Sequence, residues 1–196
     1  MHRASETVGR EVLVIAAKGS GKTFSITHDG IKSAWNNPHA DKRFATLITA
    51  PTYKQLAPLL EDPITEKLER YGLLAKNGHN YSDHETRLKN GAMIFYRSLD
   101  NPDSIEGLNV WKAYIDEACL ASQRAVDIVK SRLMRTNGTL VMITSPKGTS
   151  NHIYQTYFGV DAKPNPYLTV IRYSIFDNPI MTQAAIDRYA ASVDKL

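Results

Sequence analysis

The sequence predicts an α/β fold with a mostly parallel central sheet flanked by helices, and three observations carry that expectation. Apolar runs of strand length alternate with helix-patterned segments along the chain. One such run, Val12-Leu13-Val14-Ile15, leads through a glycine-rich loop straight into helical spacing. Another ends on two adjacent carboxylates, Asp116-Glu117. Strands that alternate with helices in this way need crossover connections, and crossovers make neighbouring strands parallel.

The first element is the most specific. The stretch Ala16-Ala17-Lys18-Gly19-Ser20-Gly21-Lys22-Thr23 follows the first apolar run and opens a segment spaced as a helix by Phe24, Thr27, Ile31 and Ala34. Strand, tight loop and helix in that order are the context a phosphate-binding loop requires. Gly19 and Gly21 let the backbone curl so that N–H groups converge on phosphate oxygens, and the helix N-terminus adds partial positive charge. The nucleotide-binding residues expected here are Ala17, Lys18, Gly19, Ser20, Gly21, Lys22 and Thr23. Lys22 reaches the β- and γ-phosphates of a nucleoside triphosphate, and the Thr23 hydroxyl ligates Mg²⁺. Ala16 stands where the usual pattern has its first glycine, a mild departure because alanine still allows a tight strand exit.

The remaining strands are expected at residues 12–16, 45–50, 92–97, 113–115, 140–144 and 168–173. Asn90-Gly91 marks a hairpin turn between 86–88 and 93–96. Residues 52–72 read as helix, interrupted near Pro58 and Pro63. Residues 123–135 form a helix with Val126, Val129 and Leu133 on one face and Arg124, Ser131 and Arg135 on the other, closed by Asn137-Gly138. The arginine face is a solvated surface or a partner-facing one.

Composition narrows the class. At 196 residues the chain holds one core of ordinary size, and 42% hydrophobic with 22% charged residues is the balance of a water-soluble globular protein. No apolar run is long enough to span a membrane, and Met1 to Glu6 lacks a signal-peptide core. A single cysteine, Cys119, excludes an internal disulfide and fits a reducing cytosol. Six scattered histidines form no zinc pattern, and His79, Asp83 and His84 read as a solvated hairpin. The net charge of +4 tolerates a polyanionic partner without demonstrating one.

The segment Ala113-Tyr114-Ile115-Asp116-Glu117-Ala118 supplies the chemistry a phosphate loop alone lacks. At the carboxyl end of a strand, both carboxylates can turn toward the crevice beside the loop. Asp116 then holds Mg²⁺ and Glu117 acts as general base on the attacking water. With Lys22 this defines a P-loop NTPase of the ASCE type, with ATP and Mg²⁺ as cofactors. A third element, Thr144-Ser145-Pro146-Lys147-Gly148, again follows a strand. Its hydroxyls could sense the γ-phosphate, or Ser-Pro-Lys-Gly could be only a turn with a fixed entry angle.

The chain resembles the ATPase domain of the large terminase subunit of tailed bacteriophages, the motor that packages DNA into procapsids. The resemblance rests on Ala17 to Thr23, Ala50-Pro51-Thr52-Tyr53, Ile115-Asp116-Glu117-Ala118, Thr144 to Gly148, Asn151-His152-Ile153-Tyr154, Tyr173-Ser174 and Asp177-Asn178-Pro179. It implies an Mg-dependent ATPase that couples hydrolysis to translocation of double-stranded DNA. It also implies a homo-oligomeric ring, portal and small-subunit partners, and the host cell cytoplasm as location. It assigns Thr144 and Ser145 to the coupling motif and puts Lys18 where relatives often carry a catalytic arginine, although lysine lacks the planar fork. Several relatives carry a trans-acting arginine at the position of Glu106, so either Arg97, Arg124, Arg132 or Arg135 substitutes or trans activation differs in this motor. Relatives also have an adenine-binding glutamine segment upstream of the first strand, for which the residues before Val12 are too few.

The resemblance implies an ATPase domain over residues 1–176. Residues 177–196 would be a helical segment or the start of a linker toward a nuclease domain. That stretch holds only Asp177, Asp187 and Asp194, so nuclease activity is not expected from this chain, which would be a fragment or a split product. Two other readings stay open: a helicase-like or repair ATPase, and a nucleotide-dependent assembly module with little hydrolysis of its own.

Overall fold

The computed structural model describes residues 11–39 and 44–193. Met1 to Glu6, the segment before Val12 other than Glu11, and Asp194 lie outside the described residues. Eight strands form one sheet in the order β3-β4-β5-β2-β6-β7-β1-β8. They are β1 (Glu11–Ala16), β2 (Ala45–Ala50), β3 (Leu74–Asn80), β4 (Glu85–Leu88), β5 (Met93–Ser98), β6 (Val110–Ile115), β7 (Thr139–Thr144) and β8 (Leu168–Tyr173). The pairings β5–β2–β6–β7–β1–β8 are all parallel, while β3–β4 and β4–β5 are antiparallel.

The central strands are apolar on both faces because helices cover both sides of a parallel sheet. Val12, Val14 and Ala16 of β1 enter one core with Ile48, Tyr96 and Val141, and Leu13 enters the other with Leu47, Ala113 and Met142. The first face is covered by α1 (Lys22–Trp35), α2 (Tyr53–Leu56) and α3 (Asp62–Arg70), and the second by α4 (Gln123–Leu133) and α5 (His152–Phe158). A last helix, α6, spans Gln183–Val193.

A buried polar group ties α1 to β6. Asp29 accepts from Lys112 Nζ at 3.0 Å and from the Tyr114 hydroxyl, which also meets Ser33 Oγ at 2.7 Å. These residues are buried, so each charge and hydroxyl is matched rather than solvated.

Three sequence expectations are corrected or refined. Phe24 does not join the buried stripe of α1 but is 62% exposed, tilted against His28 at 4.2 Å and under Lys67 at 4.8 Å. The expected Thr27, Ile31 and Ala34 do face inward, with Ile26, Gly30 and Ser33 beside them. The 52–72 helix is interrupted near its prolines as expected, without a break in its path: a π-turn over Ala57–Glu61 holds Pro58 and links α2 to α3, where Pro63 sits in the first turn. The His79–His84 turn is a hairpin between β3 and β4, solvated at residues 80–83 as expected, but its two imidazoles turn toward a buried carboxylate. Glu61, 1% exposed, takes the His84 ring nitrogen at 2.9 Å and lies 3.6 Å from His79 Nε2. Burial lowers the His79 pKa, the carboxylate opposing that trend.

Candidate active site

Three strand ends meet at the carboxyl edge of the sheet. In the order β6-β7-β1, β7 separates the strand that carries Asp116-Glu117 from the strand that leads into the phosphate loop. The pair Thr144-Ser145, at the end of β7, therefore lies between the two, where ligands collect in open α/β sheets.

The loop has the expected shape. Gly19 and Gly21 take φ of 80° and 88°, a region that disfavours a side chain. Lys22, the first residue of α1, is buried and folds its ammonium back onto the carbonyls of Ala16 at 3.3 Å and Ala17 at 3.2 Å. Ser20 Oγ is buried without a hydrogen-bond partner, an uncompensated hydroxyl that a phosphate oxygen would satisfy. Lys18 is exposed on the loop, and Thr23 is half-buried at the start of α1.

Glu117 is the junction of the site. Its Oε1 lies 4.0 Å from Lys22 Nζ and accepts from Ser145 Oγ at 3.4 Å, while Oε2 accepts from the Ser145 N–H at 3.4 Å. Its backbone is left-handed, with φ of 45°, unusual for a residue with a long side chain. Cys119, two residues on, donates its N–H to Thr144 Oγ1 at 3.3 Å, so both hydroxyls of the post-β7 segment touch the post-β6 segment.

Asp116 is buried and accepts from the Glu117 N–H at 3.0 Å. Burial, and then the adjacent Glu117 charge, push its pKa up to about 6, with Lys22 and the backbone hydrogen bond opposing. A carboxylate with so little compensation suits a cation. Among the described residues no group of three or more His, Cys, Asp or Glu could hold a metal. The Asp116 carboxylate and the Thr23 hydroxyl are oxygen donors of the kind that Mg²⁺, a cation that keeps most of its waters, would take.

Of the four arginine candidates, Arg132 and Arg135 lie at or just beyond the end of α4, near the amino edge of the sheet. Arg132 is bonded to Ser131 Oγ, and Arg135 lies over Phe44, which precedes β2. Arg97 has its guanidinium occupied by the carbonyls of Asp83, His84 and Tyr96 and by Glu85 at 2.8 Å. Arg124, at the start of α4 and so at the carboxyl edge, is 65% exposed and paired with the similarly exposed Asp103. Glu106 is exposed.

Several supports carried no role in the sequence reading. Asn151 donates to the Cys119 carbonyl at 2.8 Å and caps α5, and His152 Nε2 meets the Ala118 carbonyl at 3.2 Å. Asn178 donates to the Gly19 carbonyl at 2.6 Å. These asparagines and the histidine stood in the sequence only as parts of a wider pattern, with no local signal for their partners.

A parallel sheet with one extra strand between a phosphate loop and a strand-end Asp-Glu pair is the core of a P-loop NTPase. The terminase family model, described as the phage terminase large subunit, matches residues 10–192. The chain belongs to the phage terminase large subunit family.

Solved structures agree on the fold. The large terminase of the thermophilic bacteriophage D6E in complex with ATP-gamma-S superposes with a TM-score of 0.77 at 16% identity, over 92% of this chain and 43% of that one. The large terminase ATPase domain of Thermus phage P74-26 gives 0.71 at 16% identity, over 87% and 78%. The HK97 bacteriophage large terminase gives 0.71 at 13% identity, over 96% and 44%. The chain thus spans less than half the length of the D6E and HK97 terminases. No curated protein matches the sequence.

Proposed function

We propose that this chain is the Mg-dependent, ATP-hydrolysing motor domain of a viral DNA-packaging terminase, coupling hydrolysis to translocation of double-stranded DNA. The observation that supports it most is the position of Glu117, in reach of Lys22 at 4.0 Å and Ser145 at 3.4 Å across β7. The reported complexes of the D6E terminase with ADP and with ATP-gamma-S favour adenine nucleotides as ligands.

In this reading Lys22 leaves the Ala16 and Ala17 carbonyls for the β- and γ-phosphates, and the Ser20 hydroxyl gains a phosphate partner. Glu117 accepts a proton from the attacking water. Asp116 and Thr23 hold Mg²⁺, which when bound neutralises charge on the phosphate oxygens. Lys18, exposed on the loop, adds a second charge near the γ-phosphate. Ser145 and Thr144 form the coupling relay, since loss of the γ-phosphate changes what Glu117 must bond.

The wider assignments follow the same reading. Residues 1–176 are taken as the body of the motor, and 177–196, whose Asn178 is bonded to the Gly19 carbonyl, as a helical segment or the start of a linker toward a nuclease domain. The motor works as a homo-oligomeric ring with portal and small subunit in the host cytoplasm. No helix among the described residues is long and apolar enough to cross a membrane. Arg124 is the trans-acting residue, because its exposed pair with Asp103 is released at little cost.

Glu117→Gln tests the assignment. It should lower ATP turnover about a hundredfold or more while Mg·ATP still binds in a direct titration. Near-normal turnover in that variant removes Glu117 as the base.

A further inference from the structure

The sheet order fixes which way a bound nucleotide must point. The groups that address the γ-phosphate, Glu117 and Ser145, follow β6 and β7, which lie on one side of β1. The phosphate chain follows the loop and the N-terminus of α1, so the nucleoside leaves the site on the other side, above the end of β8.

What stands there is the segment of residues 174–181, and it is fastened to the phosphate loop. The Asn178 amide donates to the Gly19 carbonyl at 2.6 Å, and its Oδ1 accepts from the Ile180 N–H at 3.1 Å. Ile175 and Met181 pack against Gly19, 3.4 Å and 3.6 Å from where a Cβ would sit on that glycine. The turn is closed from within, Asp177 accepting from the Ser174 N–H at 2.7 Å. Two large apolar side chains of this fastened segment remain uncovered, Phe176 at 67% and Ile180 at 84% exposure.

We propose that Phe176 and Ile180 form the wall against which the purine base of the bound nucleotide rests, with Asn178 as the positioning residue that holds the wall to the loop. A purine has two apolar faces and gains most from an aromatic or aliphatic surface held rigidly beside the phosphate site. The proposal rests on the nucleotide reading above and adds to it the surface that recognises the base.

Titration of the 196-residue chain with ATP-gamma-S and with inorganic tripolyphosphate, both with Mg²⁺, separates the two. Phe176→Ala combined with Ile180→Ala should weaken ATP-gamma-S about tenfold or more and leave tripolyphosphate within about twofold. Asn178→Ala should show the same split, because loosening the wall costs the base and not the phosphates. Unchanged ATP-gamma-S affinity in the double variant overturns the proposal, as does an equal loss for both ligands, which would mark the segment as a support of the phosphate loop only. Failure of the unaltered protein to bind either ligand would overturn the nucleotide reading itself and this inference with it.

Discussion

Replacing Asp116 by asparagine should make the metal-free protein more stable, although it removes a residue at the centre of the site. The Asp116 carboxyl has its pKa raised from 3.8 to about 6, burial being the first cause and Glu117 the second. A raised carboxylate pKa means that the folded chain holds the proton more tightly than the unfolded one. Below pH 3.8 the group is neutral in both states and costs nothing. Between 3.8 and about 6 stability falls as pH rises, and above that window the whole penalty is present. The shift corresponds to about 3 kcal/mol at pH 8 and about half of that at pH 5. Asparagine keeps an oxygen to accept the Glu117 N–H. Its amide hydrogens need partners of their own, which costs about 1–2 kcal/mol. The net gain at pH 8 is then about 1–2 kcal/mol, or roughly 2–8 °C in melting temperature for a chain of this size. Thermal unfolding in EDTA at pH 8 and pH 5 measures it, with the gain shrinking at the lower pH. Adding Mg·ATP should stabilise the unaltered protein and not the variant. A variant less stable than its parent at pH 8 in EDTA, or a gain independent of pH, refutes the reasoning.

Two further outcomes probe the remaining charges of the site. Lys22→Ala should abolish measurable nucleotide binding in a direct titration, because the only side-chain cation buried in the loop is lost, and retained binding would contradict its role. Arg124→Ala should lower turnover mainly at protein concentrations that favour oligomers, while Arg135→Ala leaves it unchanged. Equal effects of the two in a turnover series over protein concentration would remove Arg124 as the trans-acting group.

Most of the fold was legible because the central strands are buried on both faces and therefore read as uninterrupted apolar runs. Residues 45–50 were placed to the residue for that reason, while 168–173, an edge strand only partly buried, were placed by their β-branched run. β3 was not foreseen. It is an edge strand whose Lys76-Asn77-Gly78 carries no β-branched residue, and its pairing slips between Leu74 and His79 where Asn77 turns left-handed. The burial of Glu61 was equally hidden, since nothing local shows that a helix-end carboxylate will meet two imidazoles from a hairpin. The candidate site was legible as motifs, because a glycine-rich loop and a strand-end carboxylate pair each need particular residue types at fixed spacing. Its supports were not, because Asn151 to Cys119 and Asn178 to Gly19 are contacts between distant segments that only the crossovers of the sheet bring together.

The strained geometry at Glu117 bears on how such a site could drive movement. A left-handed backbone at a glutamate costs of order 1–3 kcal/mol and persists only if its surroundings hold it there. Four contacts on its carboxylate do so here: Ser145 twice, the Cys119 thiol at 3.9 Å and Lys22 at the limit of an ion pair. In the proposed cycle an arriving triphosphate takes Lys22 away, because a phosphate is the stronger partner for an ammonium than two main-chain carbonyls and a distant carboxylate. Glu117 is then held by Ser145 and the Cys119 thiol, and after hydrolysis by whatever the departing phosphate leaves. The Ser145 end of that bond belongs to the segment joining β7 to α5, whose cap Asn151 is bonded to Cys119, two residues beyond Glu117. A change at the carboxylate is therefore felt at both ends of one closed loop of contacts, Glu117 to Ser145 and Asn151 to Cys119. In such a loop neither segment can shift without the other, which a relay from chemistry to movement requires.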